Sequence, residues 1–488
     1  MRKTFITNFL LLIVLNLAVK GAWVLGIDLQ VQNTLGAEEY GLYYALLNIS
    51  FLLNMLLDAG ITNFNTFNIA QNRQLAAKHF SRIFTLKMAM GTLYLICTIV
   101  LAAVAGYNYY QLGLLLVLCL NQFLNSFILY LRSNLSGLQL FMPYTLTSVL
   151  DRAIMIAIVG TLLWSGTTNG DFKIEWFIYS QTFAYSISAI TSFIIVCKHA
   201  TPFRPVFRAG FSLAILKKSM PYAVLIILMM TYNRADGVLL ERLLADGKTQ
   251  AGIYAQSFRL MDAANMIAFL AAGLLFPLFS KMLKDRINVD QLLNLSFRIM
   301  VLPAIVGAAA VFFYRADIME LLYTEHAGES TRIVGWLMGC FVAITISYIF
   351  GTLLTANGNL RQLNIMAGGV AILNIALNVV AIPAMQARGA GIVAFASQWT
   401  AAILQVMIVQ YFFRFKPNYK LIIKSAIFIA CIGFIGHFTR SLHHTWTVNI
   451  TIMIAACFIV GLSLGLLKIR EIFQLIPNTL KDGPLRKN

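Results

Sequence analysis

Apolar and polar residues alternate along this chain in long blocks. Runs of roughly 20–28 apolar residues recur from end to end, each long enough as a helix to cross a bilayer core. The spacing predicts fourteen spans, at 5–31, 40–64, 83–106, 110–131, 143–165, 175–197, 219–240, 250–278, 293–314, 333–356, 362–383, 390–413, 421–439 and 447–467. The links on one side are mostly short, such as GYNYY, ADGKTQ and MQARG; the longest of them is 315–332. The longest link on the other side is 198–218, with two prolines and five Lys or Arg. It divides six spans from the next six. An even number of crossings gives both halves the same orientation, so any repeat is parallel, with its axis along the membrane normal. The expected fold is therefore an all-α polytopic membrane protein. It has an N-lobe at 1–197, a basic linker at 198–218, a C-lobe at 219–413, and two extra helices with a tail at 414–488. An amphipathic interfacial helix fits 209–218.

A repeat is visible in the residues. The stretch Pro221–Ser280 is an apolar helix, a polar turn and a second apolar helix. The N-terminal stretch from Lys20 to Gly60 has the same plan, and Gly41-Leu-Tyr43 there answers Gly252-Ile-Tyr254, 211 residues later. Pro303 lies inside the ninth span, where a missing backbone donor can kink a helix. Pro277 and Pro383 mark span ends.

Composition supports the membrane reading. The chain is 59% hydrophobic and 11% charged, against about 45–50% and about 25% in soluble domains. No soluble domain fits between the spans. The first run follows Arg2 and Lys3 as a signal peptide would, but it is too long and lacks a clear cleavage site, so it reads as an uncleaved first span. The six cysteines lie in or beside apolar runs without CxxC spacing, which supports neither a disulfide framework nor a metal site.

The net charge of +18 would suit a nucleic-acid partner, but its distribution argues against one. Of the 37 Lys and Arg, 23 fall in alternate links and the termini, 7 in the opposite links and 7 inside spans. This positive-inside pattern places both termini in the cytoplasm. The excess suits anionic lipid heads.

Ionisable residues inside spans are costly and mark cavities or pairs. Ten stand well inside: Lys20, Asp28, Asp58, Asp151, Arg152, Arg234, Asp236, Arg259, Asp262 and Arg298. Lys87, Glu175 and Lys424 lie within about a turn of a span end and are set aside. Seven of the ten belong to the first, second, seventh and eighth spans, which are equivalent in the two halves. Arg259 and Asp262 share a helix face and can pair with each other. Asp151 and Arg152 read as a structural pair. Arg234 and Asp236 point roughly 200° apart, whereas Asn233 and Asp236 share a face. Lys20 has no partner in its own span and is the leading anion-binding candidate. The candidate substrate-binding set is Lys20, Asp28, Asp58, Asn233, Arg234, Asp236, Arg259 and Asp262. The structural alternative for the group is ion pairing that fixes helix register.

No HExxH, CxxC or P-loop is present. Gly461-Leu-Ser463-Leu-Gly465 matches GxSxG, but it lies in an apolar span rather than a strand-to-helix turn. No cofactor or metal is implied. Without an ATP motif, transport would be driven by a gradient or by supply and removal of the cargo.

These residues resemble a family. The opening LNLAVKGAWVLGIDLQVQNTLGAEEYGLYYAL, then LLDAGITNFNTFNIAQ, and YNRADGVLLERLL with AGIYAQSFRLMD, are similar to polysaccharide exporters of the multidrug/oligosaccharidyl-lipid/polysaccharide (MOP) superfamily, the Wzx-like O-antigen flippases. The resemblance implies two six-helix lobes, alternating access, and a central cavity passing a polyprenyl-diphosphate-linked oligosaccharide of O-antigen lipopolysaccharide or another surface polysaccharide. It implies a bacterial inner membrane and no enzymatic step. Relatives use basic cavity residues in the early spans, and Lys20 is the match here. The ten in-span charges are five basic and five acidic, so a strongly cationic cavity does not follow. Lys20 and Arg259 would attract diphosphate or acidic sugars. Asp28, Asp58 or Asp236 would balance charge or couple a cation, H+ or Na+. The rivals are a cation-coupled drug antiporter of the same superfamily and a membrane polysaccharide polymerase or ligase. The latter needs a larger external loop than 315–332.

Overall fold

The computed structural model describes residues 15, 16, 18, 19, 21–62, 65, 69, 74–138, 140–165, 172–199, 209–415 and 418–466. Every regular element among them is helical. The order begins with a π-helical turn Ala22–Asp28, α1 Leu29–Leu52 and a 3-10 turn Asn54–Leu57. Then follow α2 Leu75–Val104, α3 Tyr109–Gly137, α4 Phe141–Trp164, α5 Ile174–His199, α6 Ala209–Leu243 and α7 Gly247–Lys284. After them come α8 Asp290–Ser296, a π-helical turn Phe297–Val301, α9 Leu302–Phe313 and α10 Arg315–Leu322. The last are α11 Ala327–Ala356, α12 Leu360–Phe413, α13 Tyr419–Arg440 and α14 Trp446–Ser463.

Ten helices among the described residues are long and apolar enough to cross a membrane. One of them, α12, is 54 residues long and takes in two predicted spans; its backbone breaks at Gln386, with φ 53°. Eleven of the fourteen predicted spans therefore coincide with these ten helices. The spans 5–31, 40–64 and 250–278 are not among them. Much of 5–31 lies outside the described residues, and the other two carry Asp58, Arg259 and Asp262. The chain is a multi-pass helical membrane protein.

Local chemistry sets the breaks. Gly36 takes φ +75° inside α1, a conformation that favours glycine, and separates the first span from the second. Asn108 and Gln111 form a reciprocal cap at the start of α3, which satisfies two orphan N–H groups. Pro303 has no N–H for the carbonyl four residues before it. The helix widens into the π turn Phe297–Val301 just ahead of it, and Arg298 sits in that turn. The predicted interfacial helix 209–218 is helical but runs unbroken into the seventh span within α6, through Pro221. The predicted external loop 315–332 contains α10.

The chain forms two compact units. The first comprises Met1–Ala263, Leu322–Ile333 and Leu360–Ser397. The second comprises Ala264–Leu321, Val334–Asn359 and Gln398–Asn488. In the second unit, Leu302, Tyr314, Phe428, Ile432, Met453 and Cys457 form a core joining α9, α13 and α14. Gly436 lies against the Phe313 ring, with no room for a Cβ. Arg440 closes this packing by donating to the Phe313 carbonyl and pairing with Asp317 at 3.4 Å. The opposite faces of α13 and α14 expose Phe434 and Ile459, as lipid-facing helices do. All six cysteines are free.

Candidate functional site

The break at Gly36 turns the chain so that Tyr40 meets Asp28, twelve residues before it. Glu325 accepts a hydrogen bond from Ala37 N at 3.3 Å at this turn. The Tyr40 hydroxyl donates to the Asp28 carboxylate, 3.1 Å from each oxygen. Arg259 Nε, from α7, lies 3.0 Å from Asp28 Oδ2 and donates to Tyr40 Oη at 2.9 Å. Asp28 and Tyr40 are fully buried and Arg259 is half-buried. Removal from water makes such a charge-assisted network strong when every member is satisfied. A recess of about 10 Å³ adjoins it, lined also by Val24, Gln32, Leu260 and Tyr323. That is room for about one water molecule, far less than any cargo. Tyr323 lies between spans, and burial pushes its hydroxyl well above the usual range. It stays protonated and donates to the Gln256 carbonyl at 3.0 Å.

The expected Arg259–Asp262 pair is therefore not the arrangement found. Arg259 turns to Asp28, and Asp262 instead lies 3.7 Å from Arg234 Nη2. Arg234 is clamped between the Phe51 and Phe258 rings, at 4.8 and 4.9 Å, so cation–π attraction holds it. Sharing a helix face permits an i,i+3 pair but does not compel one. Asp28, 4% exposed, is less screened by water than Asp262, 43% exposed, and so attracts the guanidinium more strongly.

Asp236 points away from Arg234, as the helical spacing requires. It is 2% exposed. Tyr254 Oη donates to its Oδ2 at 2.8 Å, and Asn378 and Asn374 donate to its Oδ1 at 2.8 and 3.5 Å. Asn374 also reaches Ser397 Oγ at 3.2 Å. All of these partners are neutral. Asn233, half-buried, lies on the same helix.

Asp58 pairs with Lys87, a residue set aside as too near a span end. Lys87 is only 1% exposed. Its ammonium also donates to the Leu57 carbonyl at 2.8 Å and Ser126 Oγ at 3.1 Å, which uses all three donors. Asp58 accepts from Thr62 N at 3.3 Å. Position along a span misjudged this lysine because its helix starts at Leu75, eight residues before the predicted span, which places Lys87 about three turns inside it. Lys20 lies outside the described residues.

Asp151 and Arg152 do associate, at 3.7 Å, but Arg132 is closer to the carboxylate, at 3.0 Å. Sequence reasoning missed Arg132, Tyr40, Asn374 and Asn378. It searched for charge inside spans, and Arg132 falls just past one. The i,i+4 spacing of Asn374 and Asn378 in an apolar run was an available signal.

The family model for polysaccharide biosynthesis proteins matches residues 5–283, more than half of the chain. The chain belongs to that polysaccharide biosynthesis family. No curated protein matches it in sequence. Among solved structures it is similar to a lipid II flippase MurJ in an inward closed conformation, at 16% identity and TM-score 0.65, over 94% of this chain and 100% of that one. It is also similar to an inward-facing multidrug resistance MATE family transporter of the MOP superfamily, at 13% identity and TM-score 0.60, over 83% and 96% of the two chains. A third likeness is to a MOP superfamily transporter from Pyrococcus furiosus, at 14% identity and TM-score 0.55, over 83% and 92%. At these identities the likeness is one of fold. This family member has the fold of MOP superfamily transporters.

Proposed function

We propose that this protein flips a polyprenyl-diphosphate-linked oligosaccharide across a bacterial inner membrane, with both termini in the cytoplasm. Two six-helix lobes would rock around the cavity while the lipid tail stays in the bilayer. Supporting this most directly is Arg259, a guanidinium inside a predicted span whose counter-ion is the internal carboxylate Asp28. A cation held this way can be released to an anionic cargo without being left bare. Guanidinium matches phosphate geometry with two parallel donors. Lys20 supplies a second cation in the first span. The family match and the fold shared with a lipid II flippase support the same reading.

The experiment is complementation of a strain lacking the protein, scored by surface polysaccharide, with membrane levels checked by immunoblot. Arg259→Ala and Lys20→Ala should each abolish the polysaccharide while leaving the protein inserted. Wild-type polysaccharide from both variants would overturn the anion-site assignment. Cysteines at Thr249 and Asn357 should label from outside and inside respectively.

Asp236 favours a coupled step. A carboxylate buried among neutral hydrogen-bond donors has no cation beside it among the described residues, and a proton or a bound cation would balance its charge, so H+ or Na+ is the coupling ion of this reading. The same feature suits a second function, cation-coupled export of small molecules, as does the fold shared with MATE transporters. The two separate in the deletion strain: loss of surface polysaccharide with unchanged drug susceptibility supports the flippase, and the converse supports the antiporter.

A further inference from the structure

The short link between α2 and α3 is held to another helix. Gly106, at φ +79°, lets the chain turn sharply out of α2. Tyr107 N donates to the Ala102 carbonyl at 3.2 Å, which closes the end of the helix and fixes where the Tyr107 ring leaves it. That ring is 5% exposed. Its hydroxyl donates to Glu241 Oε2, in the last turn of α6, at 2.9 Å. Arg242 Nε pairs with the same oxygen at 3.0 Å, and its guanidinium carbon lies 3.3 Å from the Tyr107 ring centre.

The link between α10 and α11 makes the converse contact. On α1, the Asn33 amide donates to the Leu322 carbonyl at 2.7 Å and accepts from Thr324 N at 3.4 Å. Glu325 accepts from Ala37 N. The same link is anchored on α7, where Gln256 Nε2 donates to the Glu325 carbonyl at 3.0 Å and Ser257 Oγ to the Ser330 carbonyl at 2.9 Å. All of these residues belong to the first compact unit. In the predicted repeat, the two links each join the third and fourth spans of a half. Each link meets the first span of the other half at its outer end. The contacts are therefore reciprocal, and both lie on the side that the proposed topology makes external.

The chemistry suits contacts that open. Thr324 and Glu325 are exposed and Asn33 is half-buried. Water can replace these hydrogen bonds as they break, so the net cost of each is modest. We propose that the links 105–108 and 322–326 are paired clasps that hold the external side closed, and that the protein opens outward only when both release. This rests on the proposed function for its topology and its rocking cycle, and is independent of which cargo is carried.

The test ties one clasp and then releases both. Asn33→Cys with Thr324→Cys is bridged in whole cells by a short, reducible bis-methanethiosulfonate, and new surface polysaccharide is followed with a pulse of labelled sugar. Bridging should cut its appearance by about tenfold or more, because the outward-open state is removed from the cycle. Reduction should restore it, and either single variant treated alike should be unaffected. A link with a purely structural role would not respond to being tied where it already sits. The release variant is Tyr107→Phe with Asn33→Ala, combined with Gln32→Cys as a reporter. Gln32 is 2% exposed and lies beside Leu322 and Tyr323. Release should speed its labelling by a membrane-impermeant maleimide from outside by about tenfold, the shift in open population that the lost hydrogen bonds allow. The release variant without the reporter keeps the native cysteines, among them the buried Cys119, and should label no faster than the parent. Faster labelling there means general loosening and counts against the clasps. A pair that does not bridge, bridged cells that export as fast as reduced ones, or unchanged labelling at position 32 would each overturn them. If deletion of the protein leaves surface polysaccharide intact, the proposed function fails, and the maleimide measurement still decides the clasps.

Discussion

Gly41 and Gly252 face each other where α1 crosses α7, and each lies against the other helix's backbone. A Cβ on Gly41 would overlap the Lys248 carbonyl, and one on Gly252 would overlap the Ala37 carbonyl. Lys248 follows Ala37 by 211 residues, as Gly252 follows Gly41. The contact is therefore reciprocal, with equivalent positions exchanging roles as across a two-fold axis. The offset first seen in the two Gly-x-Tyr triplets reappears as a physical interface. Tyr44, Tyr254 and Phe258 pack beside it, 5.8 to 6.4 Å between ring centres.

Gly41→Ala and Gly252→Ala should therefore destabilise the protein, each by at least about 2 kcal/mol. The obstructing atoms are backbone and cannot rotate away as a side chain can. Gly113→Ala is the control, since a Cβ there meets nothing within 4 Å. In detergent, the midpoint of thermal unfolding should fall for the first two and hold for the third. Equal midpoints in all three would disprove the close crossing.

Asp28, Tyr40 and Arg259 should behave as one unit. Each hydrogen bond to a charged member is worth about 1.5–3 kcal/mol. Asp28→Asn and Tyr40→Phe should each lower the unfolding midpoint. The double variant should lose less than the sum of the two, because the second change removes bonds already broken. Strict additivity would mean that the three groups do not share a network.

The apolar blocks made the helices legible, along with the polar turn between 31 and 40, the disturbance at Pro303 and the 211-residue repeat. The partners of the charges were much less legible. Sequence spacing exposes neighbours on one helix, and so suggested Arg259 with Asp262 and Asp151 with Arg152. The contacts found are mostly between segments: Arg259 bonds to Tyr40, 219 residues away, and Arg132 reaches Asp151 from another helix. Attraction strengthened where water is excluded favours these pairs, and a single sequence does not reveal which distant segments will exclude water together. The Asp236 shell was hidden for another reason. Asn374, Asn378 and Tyr254 carry no charge, so a search for ionisable residues passed over them.

The Asp58–Lys87 pair is unequal in burial, 31% exposed at the carboxylate against 1% at the ammonium. The two halves should not be equally costly to remove. Asp58→Ala strands a buried ammonium, a loss of about 3–5 kcal/mol. Lys87→Met fills its site with a flexible apolar chain and leaves Asp58 partly hydrated, still bonded to Thr62. Its cost should be clearly smaller. Membrane yield and unfolding midpoint should rank wild type, then Lys87→Met, then Asp58→Ala. The reverse order would mean that Asp58, not Lys87, is the deeper charge.

Asp236→Asn separates structure from coupling. Asparagine keeps the shape of the side chain and retains one carbonyl oxygen for Asn374 and Asn378. Its amide can donate to Tyr254 Oη, which now sits 2.8 Å from Oδ2 as the donor. The shell survives with one bond reversed, so the unfolding midpoint should stay at or above the wild-type value. The ability to take up a proton or bind a cation by charge is lost. If Asp236 is the coupling group, Asp236→Asn should abolish complementation while the protein remains inserted and stable. In vesicles, wild-type flipping should respond to an imposed H+ or Na+ gradient, and any residual activity of Asp236→Asn should not. Full complementation by Asp236→Asn would leave Asp236 a purely structural acid and remove it from the transport cycle.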